Sequence, residues 1–247
     1  MSASLTEKEV DILTADGRMN TLVVHPAGPG PHPVVFFYMD APGRRDELSD
    51  MARRIAAAGY YTVLPNLYYR TTRSFHMKWN DAGLREMLGL MGTLTNDLVV
   101  KDTQSMLRFV DAEQAAKASR VGAVGYCMSG AFVVAAAACH AERFQCVASY
   151  HGTHLVTDRE DSPHRLVKKV KAEMYFACAE NDEWADEATI ATLTEALNRC
   201  SARYRIEWYP GTQHGFVFPR RANVYHEQAA QRHWERLFSL LARCLSP

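Results

Sequence analysis

Three side chains in this sequence could together carry out nucleophilic chemistry: a thiol, a carboxylate and an imidazole. The thiol is Cys127, in Val121-Gly122-Ala123-Val124-Gly125-Tyr126-Cys127-Met128-Ser129-Gly130-Ala131-Phe132. An apolar strand is predicted over 120–124 and a helix from near Met128, so Cys127 occupies the joint between them, with Gly125 two residues before and Gly130 three after. Such a tight joint strains the backbone of its residue and tolerates almost no neighbouring side chains. The helix N-terminus meanwhile offers amide donors and the positive end of a dipole. Both features favour a thiolate and a developing oxyanion. The pattern G-x-C-x-x-G is a variant of the G-x-S-x-G elbow, with Ser129 in place of the second glycine. Two other readings are a small buried apolar role for Cys127 and a nucleophilic Ser129; the latter has Cys127, not glycine, two residues upstream.

A nucleophile needs a base, and the base needs a carboxylate to orient it. Asp182 follows a predicted strand in Ala177-Cys178-Ala179-Glu180-Asn181-Asp182-Glu183, and His214 follows the last one in Tyr209-Pro210-Gly211-Thr212-Gln213-His214-Gly215-Phe216. Polar residues at the carboxyl ends of parallel strands share one rim of a sheet, where ligands bind. Glu180 and Asp186 compete with Asp182 for the acid, and His151 in Ser149-Tyr150-His151-Gly152 reads as a wall of the pocket rather than its base. The order nucleophile, acid, histidine is that of α/β-hydrolases.

The elements that must position these groups alternate along the chain. Strand-prone runs at 8–14 and 19–25 flank Asp16-Gly17, a hairpin signal. Continuous apolar runs at 33–38 and 61–64 have the length of strands buried on both faces, and Leu48, Met51, Ala52 and Ile55 mark a helix between them that Gly59 closes. A helix over 97–115, the strand 120–124, an all-apolar helix over 130–139, strands at 146–150, 173–177 and 204–209, and a helix over 186–199 continue the rhythm. A closing helix should bury Ala230, Trp234, Leu237, Phe238, Leu241 and Leu245. Repeated βα units of this kind predict a mainly parallel central sheet, an N-terminal antiparallel hairpin and helices on both faces. Residues 69–96 break the pattern and could form a cap over a pocket; with no linker or repeat, 1–247 reads as one domain.

Composition limits the partners. The chain has 247 residues, 47% of them apolar, and 28 Lys+Arg balance 28 Asp+Glu, so neither nucleic acid nor a membrane surface is an expected partner. Residues 1–11 lack the basic and apolar stretches of a targeting signal, and no apolar run approaches the ~20 residues of a membrane span. Six irregularly spaced cysteines without a C-x-x-C pair argue against a disulfide framework or structural zinc, and so for a cytoplasmic protein with reduced thiols.

With Asp40-Ala41-Pro42-Gly43, Leu64-Pro65-Asn66-Leu67-Tyr68-Tyr69-Arg70, Gly125-Tyr126-Cys127, Asn181-Asp182 and His214-Gly215-Phe216, nearly the whole chain resembles the dienelactone hydrolase family of α/β-hydrolases. The resemblance implies an α/β-hydrolase fold and a triad of Cys127, Asp182 and His214. It implies that Asp40 matches the family's Glu, which contacts the resting thiol and helps deprotonate it; Asp is one methylene shorter. The oxyanion donors would be the backbone N–H groups of Met128 and Ala41. Arg70 matches one of the arginines that hold the substrate carboxylate, whereas the second falls on Phe218, with Arg220 and Arg221 close behind. The implied reaction is hydrolysis of a small ester or lactone through an acyl-thioenzyme, with no cofactor or metal, by a monomer or small homo-oligomer. Two other classes of function compete with it: a non-catalytic ligand-binding module, and a thiol redox sensor at Cys127 with Cys178 as a spatial neighbour.

Overall fold

The computed structural model describes residues 4–245, so the first three residues of the targeting-signal reading lie outside it. The chain forms two compact units that divide between Val121 and Gly122.

In the first unit, β1 (Leu5–Thr14) and β2 (Gly17–Pro26) form the expected hairpin, closed by the pair Thr14 and Gly17. The Thr14 hydroxyl ties the turn by donating to the Gly17 carbonyl (2.9 Å) and accepting from the Asp16 amide (3.1 Å). β2 then pairs antiparallel with β4 (Tyr61–Pro65), which pairs parallel with β3 (His32–Tyr38). Helix α1 (Asp46–Ala57) buries Leu48, Met51, Ala52 and Ile55, the face read from its spacing, and Gly59 follows its end at φ +106°. Residues 69–80 are irregular and lead into α2 (Asp81–Gly92), capped by the Asn80 side chain. Only Gly83 and Leu90 of α2 are buried, and Trp79, Leu84 and Leu88 are exposed. Helix α3 (Asn96–Asp111) ends four residues short of the predicted 115. The alanine-rich stretch beyond it has good helix propensity, but tertiary pairing prevails: the His32 amide donates to the Ala115 carbonyl (2.8 Å), and β5 (Ala116–Tyr126) begins at the next residue.

β5 carries the chain into the second unit, where the strand order is β5, β6 (Phe144–Tyr150), β7 (Glu173–Asn181) and β8 (Tyr204–Gln213). β6, β7 and β8 run parallel, as the βα alternation requires. β7 and β8 extend beyond their predicted ends because pairing resumes at Asn181 and Gln213 after an irregularity. Pro210-Gly211 therefore interrupts β8 without ending it. Helix α4 (Ser129–Cys139) has every residue from Ser129 to Ala138 buried, which explains its wholly apolar sequence. The short α5 (Pro163–Leu166) and a 3₁₀ turn precede β7, and α6 (Glu187–Leu197) precedes β8. The closing helix α7 (Glu227–Leu245) buries five of the six expected residues. Phe238 is half-buried at the margin of that face, stacked on Trp234 with ring centroids 5.5 Å apart. Among the described residues no helix is long and apolar enough to cross a membrane.

Candidate active site

Cys127 follows the last residue of β5 and precedes α4 by one residue, at φ +55°. Non-glycine residues rarely adopt this left-handed region, and they persist there only when the surroundings dictate it. The surroundings do so here. The Cys127 amide donates to the Tyr150 carbonyl (3.1 Å), and its own carbonyl accepts from the amides of Gly130 and Thr153 (3.0 Å each). The loop after β6 thus clamps the elbow from one side and the first turn of α4 clamps it from the other.

The clamp is itself braced. The Tyr126 hydroxyl is 2.7 Å from His233 Nε2, the Tyr150 hydroxyl donates to the His233 carbonyl (3.1 Å), and the two tyrosine rings stack 5.5 Å apart. Neither His233 nor Thr153 stands out in the sequence. The available signal was a lone histidine on the apolar face of the closing helix, which is indistinguishable by pattern from a core residue.

Asp182 and His214 meet because of strand register. The aligned pair Asn181 and Gln213 ends β7 and β8, and the next residue of each strand is a member of the pair. His214 Nδ1 lies 2.9 Å from Asp182 Oδ2, while Asp182 Oδ1 accepts from the Trp184 amide (3.0 Å). The two competing acids are occupied elsewhere: Glu180 accepts from the Gly211 amide (2.8 Å), and Asp186 caps α6 by accepting from the Thr189 amide (2.8 Å). The Cys127 side chain is near enough to the His214 ring to add to its basicity. Burial disfavours its charge, but the interactions with Asp182 and Cys127 prevail, and the imidazole is pushed up to about 10.

This raised value has a sign. A group held more basic in the folded state stabilises the fold fully below its ordinary value of 6.5, and the contribution fades as pH climbs to about 10. The excess melting temperature of wild type over His214→Gln should therefore shrink between pH 6.5 and 10. A difference that stays flat across that window, in paired melts, would contradict the geometry. In Asp182→Asn the ring should titrate lower by NMR, because the hydrogen bond that most raises it is weakened.

His151, read as a wall residue, packs against this base. Its ring meets that of His214 edge-on, with centroids 4.7 Å apart at 70°, and it is enclosed by Phe216, Phe218 and Tyr126. It is buried, sits at φ +39°, and has no hydrogen-bond partner for either ring nitrogen among the described residues. Burial, then the nearby charge of His214, holds its pKa well below the usual histidine range, so the ring is neutral. A cavity of about 710 Å³ adjoins Asp182 and His214, lined also by Glu183, Trp184, Gln213 and Val224. Phe218, at the position of the family's second arginine, is fully buried, and the Arg221 guanidinium lies 4.5 Å from its ring centroid.

The remaining candidates lie in the first unit with firm partners of their own. Asp40 is fully buried and accepts from Arg45 at 2.5 Å (Oδ1) and 3.2 Å (Oδ2). Ala41 is buried, with its carbonyl accepting from the Tyr68 hydroxyl (2.8 Å). Arg70 donates to both oxygens of buried Asp102 (2.9 and 2.7 Å) and to Asp16 (2.8 Å). A substrate carboxylate would have to compete with those two carboxylates for it. No cluster of three metal-binding side chains occurs among the described residues.

Known structures share this architecture. A Klebsiella pneumoniae protein described as a dienelactone hydrolase superposes with a TM-score of 0.86 at 22% identity, covering 97% of this chain and 99% of its own. A dienelactone hydrolase-like promiscuous phosphotriesterase from metagenomic libraries gives 0.84 at 19% identity, covering 98% and 100%. At these identities the likeness shows the fold, which is that of the α/β-hydrolases. The sequence profile of the dienelactone hydrolase family matches residues 19–245, and the chain therefore belongs to that family of hydrolases. A Synechocystis sp. relative named as a carboxymethylenebutenolidase is 23% identical over 221 residues, covering 88% of this chain and 89% of the relative. A Bradyrhizobium sp. relative named as a 2-oxo-3-(5-oxofuran-2-ylidene)propanoate lactonase is 25% identical over 229 residues, covering 91% and 89%.

Proposed function

We propose that this hydrolase cleaves an ester or lactone of a small, carboxylate-bearing substrate through an acyl-thioenzyme on Cys127. The observation that carries this reading is the hydrogen bond between Asp182 and His214, beside a cysteine held at φ +55° on the strand–helix joint that raises the basicity of the same ring. The sulfur attacks the acyl carbon, and the proton it has given up resides on His214. The Met128 amide, next after the nucleophile, donates to the carbonyl oxygen as that oxygen becomes an oxyanion. His214 then returns the proton to the departing alkoxide. Now neutral, it takes a proton from the water that attacks the thioester, which frees the acid and restores the thiol. Asp182 fixes the tautomer throughout by accepting from Nδ1.

The names of the two relatives denote lactones that carry a carboxylate, which supports that substrate class. In the unit that holds the triad, the Arg221 guanidinium, stacked on Phe218 two residues beyond Phe216, is a cation that could select such a carboxylate.

A substrate panel tests the proposal. Carboxylated unsaturated lactones should be hydrolysed with a higher kcat/KM than neutral short-chain esters. Prior alkylation with iodoacetamide should abolish both activities, and excess substrate should slow the alkylation. Turnover that survives complete alkylation of Cys127 would refute the thiol mechanism.

A further inference from the structure

A second thiol site lies away from the triad, between β6 and the last turn of α7. We propose that Cys146 and Cys244 are a redox pair that closes reversibly to a disulfide.

Separate contacts bring the two sulfurs to one point. Cys146 is fully buried on β6, and its Sγ is directed over Gly122 of β5. A Cβ on Gly122 would meet that sulfur at 3.1 Å and side-chain carbons of Leu245 and Leu241 at 3.0 and 3.2 Å, so the end of α7 converges on the same spot. Cys244 belongs to that turn and is half-buried. In the β6–β7 register Cys146 pairs with Glu173, and Glu173 Oε2 accepts from Cys244 Sγ (3.6 Å). The same carboxylate is gripped by Arg243 (2.6 and 3.2 Å), which ties the α7 terminus to the start of β7, next to Cys146 in the register. The two thiols are near enough that each perturbs the other's ionisation.

The arrangement divides the roles. The interaction with Cys146 prevails over burial and the Glu173 charge and holds the Cys244 thiol below its usual range. The same interaction, with burial, pushes Cys146 up. Cys244, half-buried and donating to Glu173, is the thiol an oxidant reaches first; it reacts as the thiolate once that proton has left, and fully buried Cys146 stands behind it. With a hydroperoxide the step balances. The Cys244 thiolate takes the distal oxygen and the O–O bond breaks, giving a sulfenic acid and, from hydrogen peroxide, hydroxide. Cys146 sulfur then attacks that sulfur, the S–O bond breaks, and water leaves with the Cys146 proton as the S–S bond forms. Both cysteines are oxidised and one peroxide is reduced. Among the described residues the other thiols lie elsewhere: Cys127 is on the elbow, Cys139 is exposed, Cys200 donates to the Ala202 carbonyl at 3.6 Å, and Cys178 is buried on β7. The bond would close a loop containing β7, α6 and β8, the strands that present Asp182 and His214, and tie its ends together.

The test reads the cross-link rather than turnover, so it is independent of the triad. Full-length protein is treated with hydrogen peroxide or diamide, its remaining thiols are blocked, and it is digested without reductant for mass spectrometry. The expected result is a linked Cys146–Cys244 peptide, two hydrogens lighter than the pair, and a melting temperature several degrees higher that dithiothreitol reverses. Cys244→Ser should lose both effects. Two outcomes overturn the proposal: both cysteines remain alkylatable after the other thiols have been consumed, or the linked peptide forms only in urea-unfolded protein.

Discussion

Cys127→Ala should lower turnover of a chromogenic short-chain ester by at least about three orders of magnitude while leaving the protein folded, the scale seen when a covalent nucleophile is deleted. The change removes one sulfur from a half-buried position and leaves intact the three backbone hydrogen bonds that hold the elbow. Alanine at φ +55° is no more strained than cysteine, because both carry a Cβ. The variant should also release His214: with the sulfur gone, one of the interactions that raise the imidazole disappears, and the ring should titrate below about 10. Equal ester hydrolysis by wild type and Cys127→Ala would end the thioenzyme proposal. Lost activity with an unmoved His214 titration would show instead that sulfur and ring are not coupled.

The second large effect is on stability. A Cβ on Gly125 would lie 2.2 Å from the Ser129 carbonyl oxygen and 2.8 Å from Val133 Cγ1, and one on Gly130 would lie 2.4 Å from Ser149 Oγ and 2.5 Å from Gly152 Cα. Two of these obstacles are backbone atoms, which cannot rotate aside. Gly125→Ala and Gly130→Ala should each cost about 3 kcal/mol, the upper end of overpacking penalties, and should lower the urea midpoint or prevent soluble expression. Gly89→Ala is the control: nothing lies within 4 Å of its Cβ, and in α2 alanine should stabilise by about 1 kcal/mol. A Gly125→Ala protein as stable as wild type would mean that strand and helix do not approach this closely.

How much of this was legible beforehand depended on whether the determinant was local. The elbow could be read because its requirement is local: two glycines around one thiol, between an apolar strand and an all-apolar helix. The Asp182–His214 pair was half legible. Each residue could be placed after a strand, but only the β7–β8 irregularity decides that they fall opposite each other, and Pro210-Gly211 concealed it. The end of α3 was misread because Ala112 to Ala118 has helix propensity and the strand pairing that overrides it is remote. Partners were the least legible. Nothing near Asp40 or Arg70 marks Asp102, a residue on the buried face of α3, as the carboxylate that takes up Arg70. Asp40 is a similar case: Arg45 lies five positions away, yet only the turn between them shows that the guanidinium folds back onto Asp40.

The brace on the two tyrosines has a bearing on how the chain becomes active as it is made. Tyr126 and the histidine that meets its hydroxyl are 107 positions apart. A ribosome-bound chain can form the strand–helix joint well before it acquires the residue that steadies it. The sulfur should stay poorly aimed in nascent chains and gain its bearing only when the closing helix docks, which would spare unfinished chains from reacting with cellular esters.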